Sequence, residues 1–125
     1  MACFIVPAAE AIITKTVTKA VSKKEQVSVS QSLKIPFSQK LGWLTKLLAG
    51  GSVLLAFEHV WHGEVTPWFP FLTAAANPAD TAEMLHEMAT AGVAMAALVT
   101  LVWAGMLAVC AAVEKKAQRA RANAE

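Results

Sequence analysis

The run from Met88 to Val113 contains no charged side chain. It exceeds the roughly 20 residues that a helix needs to cross the hydrocarbon core of a bilayer. Its eight Leu and Val residues, at about −0.3 to −0.6 kcal/mol each, favour insertion by roughly 2 to 5 kcal/mol. Composition points the same way: 56% of the 125 residues are hydrophobic and 16% are charged, against about 25% charged in soluble domains. This composition excludes a disordered chain, and two cysteines, Cys3 and Cys110, exclude a disulfide scaffold. The length allows one compact unit and no separate catalytic domain.

The distribution of charge gives an orientation. All eleven Lys and Arg residues lie outside Leu47 to Glu114. Lys15, Lys19, Lys23, Lys24, Lys34, Lys40 and Lys46 precede it; Lys115, Lys116, Arg119 and Arg121 come after it. The interval itself holds Glu58, Glu64, Asp80, Glu83, Glu87 and all three histidines. Short basic flanks stay in the cytoplasm during insertion, so the pattern predicts two crossings with both termini cytoplasmic. The expected fold class is an all-α integral membrane protein of a prokaryotic cell membrane. In it, a two-helix transmembrane hairpin is preceded by a basic amphipathic cytoplasmic helix.

Residue by residue, 1–24 reads as the amphipathic helix, with Val6, Ile13, Val17, Ala20 and Val21 on one side, resting on the leaflet. Residues 25–40 form a polar linker, 41–62 the first transmembrane helix, 63–80 an exported loop, 81–113 the second transmembrane helix and 114–125 a basic cytoplasmic tail. Gly92 with Ala96, and Ala104 with Ala108 and Ala112, recur every fourth residue and mark faces for close helix packing. Asp80 or Thr81 is positioned to cap the second helix, and Trp68 to Phe71 to dip into the outer headgroups. Cys3 and Cys110 would then both face a reducing compartment, where no disulfide forms.

The chemical signal lies at the loop end. His59 and His62 share a helical face, as do Glu83, His86 and Glu87. In an antiparallel hairpin, 59 and 86, 62 and 83, and 58 and 87 are equidistant from one loop centre. His59, His62, Glu83 and His86 could therefore form one ligand layer for a transition metal, with Glu58 and Glu87 behind them. His59 and His86 alone could ligate a haem, and neighbouring carboxylates could make the layer a proton relay. Against these stands ordinary interfacial hydration of the same residues. There is no phosphate-binding glycine loop, CxxC pair or GxSxG nucleophile, so a non-enzymatic role is expected. Lipid headgroups, rather than nucleic acid, account for the basic segments. The function expected from sequence is a non-catalytic subunit or homo-oligomer within a larger membrane assembly. Alternatives are a metal- or haem-binding module at the outer interface and a small oligomeric transporter with Glu58 and His59 lining its path.

Overall fold

A computed structural model describes residues 2–25 and 34–124 of the chain. It is all-helical: α1 (Ile5–Glu25), α2 (Phe37–Trp61), α3 (Pro78–Glu87), a π-helical turn (Met88–Gly92) and α4 (Val93–Ala122). The last three join into one rod running from Pro78 to Ala122. Two of the helices, Phe37–Trp61 and Pro78–Ala122, are long and apolar enough to cross a membrane. Part of the expected polar linker, residues 26–33, lies outside the described residues.

Each helix end has a local cause. Gly63 ends α2: at φ +73° it adopts the left-handed conformation that closes a helix without a Cβ clash. His62 and Gly63 then donate their amides to the Glu58 and Val60 carbonyls. The long rod starts earlier than periodicity alone places it. Asn77, not Asp80 or Thr81, is the cap: its side-chain oxygen accepts the Asp80 amide at 2.9 Å, and Pro78 occupies the first turn, where its missing N–H is no loss.

The principal departure from expectation is α1. It does not lie apart from the hairpin as a surface helix; it packs lengthwise against α2 and also against α4 and the π turn. Its C-terminal end meets the start of α2, where Glu25 accepts the Phe37 and Ser38 amides at 2.8 and 3.1 Å. Its N-terminal end meets the end of α2, where Cys3 Sγ lies 3.4 Å from His59 Nε2. α1 is therefore antiparallel to α2, and the fold is a three-helix bundle.

The face that α1 buries differs from the one that periodicity picks out. Pro7, Ala11 and Thr14 are buried, whereas Ile12, Ile13 and Val17 are exposed. Small residues let the helix backbones approach, and among the glycines only Gly92 is closely hemmed in. A Cβ there would stand 2.9 Å from Val6 Cγ2 and 3.0 Å from the Cys3 carbonyl oxygen. Gly92 and Ala96, expected to be a packing face, are both buried. Farther along, Ala11 packs with Leu44 and Leu48, flanked by Val99 and Trp103. Interior hydroxyls return to their own helices: Thr14 to the Glu10 carbonyl and Ser52 to the Leu48 carbonyl, each at 2.7 Å.

The basic end is clasped by two glutamates and a tryptophan. Glu114 Oε1 accepts the Ile35 amide and pairs with Lys40, both at 3.1 Å. Trp103 Nε1 donates to the Lys40 carbonyl at 2.7 Å. Pro36, at the N-cap of α2, supplies no side-chain acceptor, so the Glu25 carboxylate serves as that cap from another helix. Hydrogen bonds from Ser38 and Phe37 hold the Glu25 carboxyl below its ordinary value of 4.5.

Gly92→Ala should lower stability by about 1–3 kcal/mol, because one obstructing atom is backbone and cannot rotate away. Gly105→Ala, where a Cβ meets nothing within 4 Å, should not lower it; melting temperatures in detergent compare the two. The Glu25 cap is complete at pH values above the ordinary carboxylate range and is lost as pH falls through its lower folded value. Protection of the Phe37 and Ser38 amides from hydrogen exchange, taken relative to an unstructured amide at the same pH, should fall in acid, and Glu25→Gln should remove that pH dependence of protection.

Candidate functional site

The strongest concentration of reactive side chains surrounds His59. A cavity of about 390 Å³ is lined by Cys3, Leu55, Glu58, His59, His62, Glu64 and Met95. Three segments build it: the residues just before α1, the last turns of α2 with the turn after it, and the first turn of α4. The turn is pinned because the Glu64 amide donates to the His59 carbonyl at 2.9 Å, and the Glu64 carbonyl accepts the Thr73 amide at 3.0 Å.

His59 is the buried member, with 6% of its surface exposed. Its Nδ1 lies 2.7 Å from the Leu55 carbonyl oxygen. A carbonyl only accepts, so Nδ1 carries the hydrogen, and in the neutral ring the Nε2 lone pair faces outward. That lone pair receives the Cys3 thiol at 3.4 Å. Glu64 Oε2 stands at 3.7 Å from the same nitrogen, a longer approach than a hydrogen bond. The Phe4 ring closes the other side, edge-on to the imidazole with centroids 5.3 Å apart.

The ligand layer expected from the spacing is not assembled. His59 and His62 share the cavity with Glu58, but Glu83 and His86 lie on α3 and take no part in lining it. The physical reason is the segment that leads into α1. Ala2, Phe4 and Ile5 pack with Leu72, Ala74, Met84 and Met88, and Cys3 reaches His59, so the residues leading into α1 fill the space between α2 and α3. Among the described residues α2 makes no contact with α3. Nor does any group of three or more His, Cys, Asp or Glu side chains converge as a metal site among them. Equal depth in a hairpin brings residues together only where nothing intervenes.

Two features are not visible in the sequence pattern. Cys3 lies at the loop end, in the His59 cavity, and not with Cys110; both thiols are free. The presence of Cys3 beside His59 could be found only by pairing α1 with the hairpin. Glu10 lies on the α1–α4 seam, where its Oε1 accepts the Thr100 hydroxyl at 2.7 Å. That bond places a carboxylate against the middle of the most apolar helix, and acids so placed are retained only with a partner.

No protein-family model matches the chain, and neither a curated protein nor a solved structure matches it. The site therefore has to be read from its own chemistry. His59→Ala should destabilise the fold by about 2 kcal/mol or more, since it opens a void and leaves the Cys3 thiol without its partner. His62→Ala, at an exposed position, and His86→Ala, outside the cavity, should stay within about 0.5 kcal/mol of the parent. Thermal unfolding of the three variants in one detergent makes the comparison.

Proposed function

We propose that the chain is a small integral membrane protein serving as a non-catalytic subunit, or as a homo-oligomer, within a larger membrane assembly. The observation that carries this reading is where its large apolar side chains lie. Val53, Leu54 and Phe57 on α2, and Leu98, Leu101, Val109 and Val113 on α4, are all more than half exposed. In water such a surface aggregates; against lipid tails it costs nothing. Where α1 and α4 enter the bundle they bury small residues, Pro7, Ala11, Thr14 and Ala96, against Leu41, Leu44, Leu48 and Ser52 of α2. Small residues on the buried faces of α1 and α4 let the helices approach closely, as expected where packing holds helices together.

The antiparallel course of α1 favours a topology other than two crossings with both termini cytoplasmic. Lys15, Lys19, Lys23 and Lys24 lie toward the same end as Lys34, Lys40 and the basic tail after Glu114. Glu58, Glu64, Asp80, Glu83 and Glu87 lie toward the other. Retention of the basic end in the cytoplasm then puts the start of α1 on the exported side with the loop, rather than in the cytoplasm. Lys15 and Lys46, exposed beside a groove between α1 and α2, reach the cytoplasmic headgroups by extending along it. Trp68, Phe69 and Phe71 are exposed at the tip of the loop, suited to the opposite interface.

The need for neighbours comes from α4. Gly92 and Ala96 are covered by α1, but Ala104, Ala108 and Ala112 continue the same spacing uncovered. A seam of that kind accepts another transmembrane helix closely. The metal- or haem-binding alternative draws no comparable support from the arrangement of His59, His62, Glu83 and His86.

The test has two arms. The protein should stay in the membrane fraction through alkaline carbonate and need detergent for release; recovery as a soluble protein would overturn the reading. Reporters placed before α1 and after Asn77 should be exported, and one after the basic tail retained. Crosslinking from Ala108→Cys should then capture a second copy or a stoichiometric partner.

A further inference from the structure

We infer that Cys3 is an activated thiol, with His59 as its proton acceptor, that exchanges with small neutral or cationic disulfides at the loop end. The inference stands on the cavity alone and does not depend on membrane insertion.

Three observations converge on it. The Leu55 carbonyl fixes the His59 tautomer through Nδ1 at 2.7 Å, so the nitrogen facing Cys3 Sγ at 3.4 Å is the basic one. The thiolate, not the thiol, is the nucleophile, and an adjacent base is a standard means of forming it. Second, neither partner is free to drift. The imidazole is buried and braced by Phe4, while the Cys3 backbone is held against Gly92, where no Cβ fits. Third, the dyad opens on a cavity of about 390 Å³, room for a small molecule rather than a peptide. The cavity wall includes Glu58 and Glu64, whose carboxylates disfavour an anionic reagent and favour a neutral or cationic one.

The step balances without any further reagent. The Sγ–H proton passes to His59 Nε2, and the sulfur attacks one sulfur of the incoming disulfide. That S–S bond breaks, a new bond joins Cys3 to the attacked sulfur, and the other sulfur leaves with the electron pair. The leaving thiolate takes up a proton from the imidazolium or from water. Cys3 is oxidised to a mixed disulfide and the departing thiol is reduced.

The probe is dithiodipyridine, a neutral chromogenic disulfide, applied to the full chain carrying Cys110→Ser in mild detergent. Release of thiopyridone should proceed at a rate at least about tenfold above that of the same thiol in the SDS-unfolded chain, in line with base assistance. His59→Gln should bring the folded rate down to the unfolded one, while His62→Gln, which leaves the Cys3 contact intact, should change it less than about twofold. Cationic cystamine should outpace dianionic dithiodiglycolate on the folded protein. A folded rate at or below the unfolded rate overturns the proposal whatever the variants do. So does an undiminished rate in a folded His59→Gln protein, and a preference for the dianion overturns the role given to Glu58 and Glu64.

Discussion

The position of α1 depends on one missing side chain. At Gly92 the Cys3 carbonyl and the Val6 side chain occupy the volume that a Cβ would need, so the backbones of α1 and of the π turn meet almost directly. Dispersion is short-ranged, and an ångström of separation forfeits much of it. Where helices face lipid, no hydrophobic gain makes up that loss. The π turn lies in the same place: Met88–Gly92 is the segment where the rod departs from regular α geometry. The turn lies between α3, which carries Glu83 and His86, and α4, which packs in the bundle.

That contact also explains why α1 buries its less hydrophobic side. Cys3, Pro7, Ala11, Thr14 and Thr18 fall on one helical face, and they are small. Ile12 and Ile13, on the other side, are well exposed. In water the larger residues would turn inward, because burial is rewarded in proportion to apolar area. In a lipid setting area carries no reward and proximity does. The polar members cost little, since Thr14 and Ser52 satisfy their hydroxyls on carbonyls one turn back. α1 looks like a surface helix by its lysines and behaves like a bundle helix by its small face.

Much of this was legible in the residues. The charge-free run after Glu87, the basic flanks, the loop prolines and the end of α2 near His62 come from composition and turn chemistry, and Gly92 with Ala96 was readable as a packing face. The partner of that face was not, because small residues announce closeness without saying to what. The Glu25 cap on α2 was likewise invisible: Pro36 offers no acceptor, and nothing local indicates that one arrives from another helix. That no metal-ligand group converges among the described residues has a related reason. Spacing fixes which residues share a helical face and which share a depth, but not whether a third helix stands between them.

The two ends of the bundle therefore differ in more than sign of charge. At the basic end carboxylates are used up in structure: Glu25 on the amides of Phe37 and Ser38, Glu114 on Ile35 and Lys40. Each bond there ties one helix to the beginning of another, so that end is braced. At the acidic end the buried imidazole is braced through Nδ1 by Leu55, and its remaining nitrogen meets the Cys3 thiol at 3.4 Å with the Glu64 carboxylate behind it at 3.7 Å. A carboxylate within hydrogen-bonding distance of Nε2 would have given His59 an ordinary structural pairing. Glu64, at 3.7 Å, stands in ion-pair range instead and pairs with the ring when that is protonated. Once α1 is antiparallel, the first residues of the described chain must share the loop end, and close packing at Gly92 delivers Cys3 to the one nitrogen of His59 that the backbone leaves open.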